Sequence, residues 1–266
     1  MMERSAVGAV LRAEQAYGLQ ICEKETLDYG IAYYSERFAK LPEGCQFREV
    51  LIEDAAKIGS AFDQAEQWFT ERGMTCLRWV PADGMPTAEL TDFLTERGFQ
   101  KTEFIAMVLT GWPKLEAPAD VRVLPARAMR AAFRRAVADS LPPDWQGPTE
   151  LLSEACEERL DDAPFDAFVA MIENEPAGWS ALHQVGDIGR LTPIAVSRAY
   201  KERRVETALL AHGLALAKRL MLQMVCTTVA ESDTDEISSL ERAGFVPDGR
   251  IVQYDRAADD RDAAPS

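Results

Sequence analysis

The 266-residue chain is poor in the side chains that usually build a metal or redox centre. It has two histidines, His183 and His212, and five cysteines, Cys22, Cys45, Cys76, Cys156 and Cys226. No two cysteines share C-x-x-C spacing and their number is odd, which argues against a disulfide framework and for reduced, mostly buried thiols. Two isolated histidines and unspaced cysteines supply no ligand set, so no metal is expected. Positive charge is also scarce: 29 Lys and Arg face 44 Asp and Glu, for a net charge of -15. That balance repels nucleic-acid phosphate and anionic lipid and excludes both as expected partners. A small-molecule or peptide amine suits it better. Long apolar runs are missing too. The stretch "MMERSAVGAVLRAEQ" lacks the apolar centre of a signal peptide, and the most apolar segment, 205–229, is interrupted by His212, Lys218 and Arg219. The cytoplasm is the expected location.

What is present is ample material for a core, with 47% hydrophobic residues. Two shifts in composition divide the chain. "TGWPKLEAPAD", 110–120, reads as a linker, and "DRAADDRDAAPS" after Tyr254 reads as a disordered acidic tail. Between them, "VRVLPA" (121–126) is a predicted strand, followed by helices over 127–140 and 149–162 with the loop "LPPDWQGP" between. "FDAFVAMI" and "AGWSALHQV" form a predicted hairpin. "GRLTPIAV" is a third strand in which Pro193 implies a bulge or an unpaired position. A helix follows from residue 205, with Gly213 allowing close packing. A strand (223–230), a helix (235–245) and a last strand (249–255) complete the pattern. A hairpin combined with strand-helix-strand crossovers predicts a mixed α/β sheet with helices on both faces. Before the linker, 62–80 reads as helix then strand, and 87–109 as helix, glycine, strand. "LTERGF" (94–99) aligns with "LERAGF" (240–245) on Leu, Gly and Phe, which suggests a truncated second copy of one fold.

The stretch "AYKERRVETALL", 199–210, carries the strongest local signal. Lys201, Arg203 and Arg204 crowd a helix start, where the macrodipole is already positive and favours a bound anion. Strand "LTPIAV", this basic loop, a long helix, a strand and a helix ending in "ERAGF" resemble the Gcn5-related N-acetyltransferase superfamily over 121–255. The resemblance implies the acyl-CoA N-acyltransferase fold, with a full domain at 121–255, a linker at 111–120, a truncated tandem copy at 1–110 and a tail at 256–266. It also implies acetyl transfer from acetyl-CoA, or another acyl-CoA, to an amine.

Carried over residue by residue, Ala195 and Val196 are the hydrophobic pair that ends the strand. Lys201, Arg203, Arg204, Val205, Glu206 and Thr207 form the loop that holds the pyrophosphate. The family's pattern there is R-x-x-G-x-G/A. Arg204 stands at its first glycine and Glu206 at its terminal small residue, so both small positions are filled by charged side chains. The family's tyrosine, which protonates the leaving thiolate, corresponds to Leu240, and the asparagine seven residues earlier to Asp233. His183 is a candidate base or a hydrogen-bonded sheet histidine. Asp187 is a candidate carboxylate or a turn residue in "VGDIG". Asp144 and Trp145 lie where the family shapes its acceptor pocket, although a tryptophan there also serves to plug a loop onto the core. The acidic residues Glu231, Asp233, Asp235 and Glu236 either attract a cationic amine or make a favourable helix start. A fold retained without its chemistry, as a binding module, is the alternative to an enzyme.

Overall fold

In the segment Phe165–Ile172 every residue except Asp166 is buried. A strand of that kind needs cover on both faces. The computed structural model describes residues 6–82, 86–143, 145 and 147–256. Its helices are α1 (Ala6–Leu19), α2 (Ile58–Thr70), α3 (Ala88–Glu96), α4 (Arg130–Asp139), α5 (Thr149–Glu158), α6 (Val205–Arg219) and α7 (Thr234–Arg242). Its strands are β1 (Glu23–Leu27), β2 (Gly30–Tyr34), β3 (Cys45–Val50), β4 (Arg78–Pro81), β5 (Gln100–Leu109) and β6 (Arg122–Pro125) in the first half. The second half adds β7 (Phe165–Ile172), β8 (Glu175–Val185), β9 (Ile188–Leu191), β10 (Ala195–Val196), β11 (Met224–Ala230) and β12 (Phe245–Asp255). The predicted mixed α/β architecture is present. Residues 257–266 of the expected tail lie outside the described residues.

The chain divides into two compact units. One contains α1 together with Phe104–Trp145 and Thr149–Arg250, and the other contains Ile21–Glu103 and the chain from Ile251 onward. In the first unit β6, β7, β8 and β9 form an antiparallel series, β11 joins β9 in parallel, and β5 pairs antiparallel with β11 from Phe104 to Val108. Phe168, Ala170, Leu182 and Leu191 share a core with Leu209, Leu214 and Leu240, so α6 and α7 cover one face. Phe165, Ala167, Val169 and Ala181 pack with Phe133, Val137 and Cys156, so α4 and α5 cover the other. Gly213 does permit the approach expected of it, because a Cβ there would meet Leu191 Cδ2 at 2.7 Å.

The second unit is a meander of β1, β2 and β3, with β4 parallel to β3 and the end of β12 antiparallel to β4. Its core gathers Phe47, Trp68, Phe69, Trp79, Leu94, Phe99 and Tyr254. Both halves of the chain therefore run three antiparallel strands, helix, parallel strand, helix, strand. The last strand of each run pairs outside its own half: Phe104–Val108 lie beside β11, and Tyr254–Asp255 beside β4. The two similar hexapeptides also fold alike. Gly98 (φ 83°) and Gly244 (φ 87°) both turn left-handed after a helix, and each is followed by a buried phenylalanine, Phe99 or Phe245. Positive φ costs glycine little, which is why both turns use it.

Among the described residues none of the five cysteines is in a disulfide, and all five are buried. Burial pushes Cys45 up to about 12 and Cys226 up to about 11, which leaves these thiols protonated and unreactive. No helix among the described residues is long and apolar enough to cross a membrane.

Candidate active site

The strand predicted over 189–196 is broken at Pro193, and the break builds the site. β9 follows β11 for the pairs Met224 with Ile188, Val225 with Gly189 and Cys226 with Arg190. Thr227 Oγ1 then donates to Leu191 O at 3.0 Å. Beyond that point the strands part. Thr192 is drawn to β8, its Oγ1 accepting from Ala181 N at 2.8 Å, and Pro193 has no N–H to continue the ladder. Ala195 and Val196 pair with Trp179 and Gly178 of β8, while β11 continues alongside β5. Gly178 makes the detour possible, since a Cβ there would meet Ala195 O at 2.6 Å. The result is a wedge between Thr192–Val196 and the end of β11, with Ala195 and Val196 half-buried at its edge.

The basic loop continues from this edge. Ser197 Oγ is buried without a hydrogen-bond partner among the described residues. Lys201, Arg203 and Arg204 are all exposed. Arg204 is the N-cap of α6 with φ 54°, in the left-handed region, and no side chain caps the helix. The position matched to a family glycine thus keeps the backbone conformation that glycine favours, at the strain an L-residue carries there. Val205, Glu206 and Thr207 open α6. An uncapped helix start behind a left-handed residue presents backbone N–H groups outward, which fits a phosphate group. Arg203 is engaged with Asp120 at 2.6 Å, a surface pair of small energetic worth that lowers the Asp120 pKa. Arg204 Nη2 reaches Glu116 O, at 3.5 Å. Lys201 and Arg204 therefore supply the positive charge, and Glu206 opposes it from the first turn.

Glu236 lies half-buried in the first turn of α7, where sequence reasoning saw only an acidic helix start. Burial, then Asp233 and Glu206, push its pKa up to about 7 against the lowering effect of the Ile194 backbone. Asp233 is the N-cap of α7, its Oδ1 accepting from Glu236 N at 2.9 Å. Leu240, one turn further along the same face, is 3% exposed and packs in the core. The signal available in the sequence was a glutamate four residues before the place of the family's tyrosine.

On the other side of β10, Arg198 Nη2 donates to Leu141 O at 3.1 Å and ties the loop between α4 and α5 to the loop before α6. A cavity of about 370 Å³ opens there, lined by Asp139, Leu141, Trp145, Thr149 and Arg198 among others. Trp145 Nε1 is buried and unpartnered among the described residues. Asp144 lies outside the described residues.

The structure does not bring His183 and Asp187 to the wedge. His183 is opposite Arg190, four residues beyond Trp179 on β8, roughly 13 Å along the strand. It is 2% exposed beside Tyr17 and Phe165, its Nδ1 has no partner among the described residues, and burial followed by Arg190 lowers its pKa to about 4. Asp187 lies in the turn before β9, at the end away from the wedge, where its carbonyl accepts from Gln223 N at 2.9 Å.

Residues 130–245 match the model of the acetyltransferase (GNAT) family. No curated protein matches the chain. Among solved structures, a GCN5-related N-acetyltransferase from Kribbella flavida aligns with TM-score 0.66 at 15% identity, over 97% of this chain and 98% of that one. A conserved protein of unknown function from Staphylococcus epidermidis aligns with TM-score 0.70 at 12% identity, over 90% and 95%. A tandem GNAT protein from the clavulanic acid biosynthesis pathway aligns with TM-score 0.57 at 13% identity, over 94% of each chain. At these identities the likeness is one of fold. Residues 130–245 carry the match to the acetyltransferase (GNAT) family, and the chain as a whole has the fold of the GCN5-related N-acetyltransferases.

Proposed function

We propose that this protein transfers an acyl group, acetyl in the simplest case, from acyl-CoA to a small-molecule or peptide amine. The observation that carries the reading is the wedge: two parallel strands part beside an uncapped helix start whose N-cap residue is left-handed. Acyl-CoA supplies the activated thioester when bound. The edge of Ala195 and Val196 aligns that group, and the N–H groups of Val205, Glu206 and Thr207, with Lys201 and Arg204, hold the pyrophosphate. The cavity at Trp145 and Arg198 receives the amine. Positioning two reactants in one wedge contributes several kcal/mol without any covalent role for the protein.

The tandem reading, with residues 1–110 as a truncated copy, is supported by the repeated element order and by the exchange of last strands. Five buried thiols outside any disulfide among the described residues support a cytoplasmic location. The second reading, a binding module without chemistry, is favoured by Leu240 and by the acidic side chains Glu206 and Glu236. Isothermal titration with acetyl-CoA separates the two. Saturable heat together with thiol release in the presence of a panel of primary amines supports the enzyme, and no heat at millimolar ligand removes it.

A further inference from the structure

Arg159, the first residue after α5, is 1% exposed. Its Nη1 donates to Ala155 O at 2.9 Å and closes the last turn of that helix. Its guanidinium lies over the ring of Tyr17 from α1, with Cζ 3.9 Å from the ring centroid. That contact satisfies the flat face of the cation and leaves its edge. On the edge, Nε and Nη2 both lack a hydrogen-bond partner among the described residues. Together they form the side-on fork that takes a carboxylate through two parallel N–H···O bonds. Arg78 shows the same fork filled, its Nε donating to Asp255 Oδ1 at 2.6 Å and its Nη2 to Oδ2 at 3.1 Å.

The acidic side chains around Arg159 are engaged elsewhere. Glu157 and Asp161 pair with Arg134 and Arg130, Asp162 accepts from Gln20 Nε2, and Glu14 pairs with Arg190. Two more buried nitrogens without partners among the described residues border the same tyrosine. Arg190 Nε belongs to a guanidinium whose Cζ is 5.7 Å from the Tyr17 centroid, and His183 Nδ1 to a ring centred 6.1 Å from it. His183 and Arg190 stand opposite each other on β8 and β9, on one face of the sheet. Four of the eleven buried side-chain atoms that lack partners among the described residues therefore gather around one ring, although in a native interior each such atom is an exception. A buried cation without an anion is also among the costliest features an interior can hold.

We propose that the fork of Arg159 is a binding site for a small oxyanion, a group of carboxylate size whose two oxygens accept from Nε and Nη2, with Arg190 and His183 beside it. The site does not rest on the acyl-transfer reading. It lies at the His183 end of β8, roughly 13 Å along the strand from Trp179 and the wedge. The fork is closed to solvent, so the anion is loaded as α1 docks during folding.

The test unfolds the full chain in urea and refolds it near pH 7.5 in a zwitterionic buffer, alone or with sodium formate, sodium nitrate or sodium chloride at equal concentration. Formate and nitrate offer two oxygens in one plane, and chloride controls for charge and ionic strength. The expected result is a saturable rise in melting temperature with formate and nitrate beyond that in chloride, about 3–6 °C at tenfold excess over Kd. Arg159→Met fills similar space without charge and should lose the rise. Arg159→Lys keeps the charge without the fork and should lose it too. Crystals of the full chain grown in formate should hold both formate oxygens within hydrogen-bond distance of Nε and Nη2. No rise in the wild type, or an equal rise in Arg159→Met, overturns the site. An Arg159-dependent rise in chloride as large as that in formate overturns the assignment to an oxyanion. Water alone at the fork in the formate-grown crystals overturns both, and this wild-type structure decides if the variants do not fold.

Discussion

Replacing Arg204 by glycine should make the protein more stable and its acetyl-CoA binding weaker. Arg204 has φ 54° at the start of α6. An L-residue held there costs about 1–2 kcal/mol relative to glycine. The greater backbone freedom of glycine in the unfolded chain returns about 0.5–1 kcal/mol of that. The side chain has little to lose, since its contact with Glu116 O spans 3.5 Å and it is otherwise exposed. A net gain of about 0.5–1 kcal/mol follows, or about 1–4 °C in melting temperature for a chain of this size. Arg204→Ala is the control, because it removes the same charge and keeps the strained φ. It should gain nothing, leaving the glycine variant about 1 kcal/mol more stable in urea titrations. Both variants lose a charged donor to the pyrophosphate and should bind acetyl-CoA about tenfold more weakly by calorimetry. A glycine variant no more stable than the alanine variant would refute the argument that this turn needs a left-handed residue.

Other predictions follow from buried groups. His183 is protonated in the unfolded chain below about 6.5 but stays neutral in the fold down to about 4. The unfolded state therefore binds more protons in that window, and stability falls as pH drops through it, by about 3 kcal/mol at about 1.4 kcal/mol per pH unit. His183→Gln should remove this component from a plot of unfolding free energy between pH 6.5 and 4, and an unchanged slope would contradict it. Gly178→Ala forces a Cβ to within 2.6 Å of Ala195 O. It should cost about 1–3 kcal/mol and reduce acetyl-CoA affinity by displacing β10, both readable in one denaturation and one titration series. Tyr254 is fully buried in the second unit and shares a hydrogen bond of 2.7 Å with Thr91, although it lies at the far end of the chain. Tyr254→Ala should cost about 3–5 kcal/mol, and hydrogen exchange should show the loss at β4 and α3. Protection unchanged there would count against the exchanged strand.

The C-terminal half was legible because its elements are covered on both sides or amphipathic, so that "FDAFVAMI" and the Leu-rich α6 announce themselves. Residues 6–50 were silent for physical reasons. α1 packs through Ala9, Val10 and Ala13, too small to give a strong apolar stripe, and β1 is mostly exposed in "EKETL". β3 buries Gln46 and Arg48, which read as surface residues until they are seen to bond each other at 2.8 Å. The same contrast holds at the site. Pro193 and the basic loop could be read from residue type alone. Glu236 could not, because the burial that raises its pKa comes from how α7 packs and leaves no local trace. An acidic first turn is what any helix favours, and the ordinary reading hid the unusual one.

The central claim is that the wedge and the left-handed loop together bind acyl-CoA. A crystal structure of the full chain with acetyl-CoA tests it most directly. The prediction is pyrophosphate oxygens within hydrogen-bond distance of the N–H groups of residues 205–207, and the thioester beside Ala195 and Val196. Acetyl-CoA bound elsewhere, or absent from a crystal soaked at saturating concentration, would contradict it.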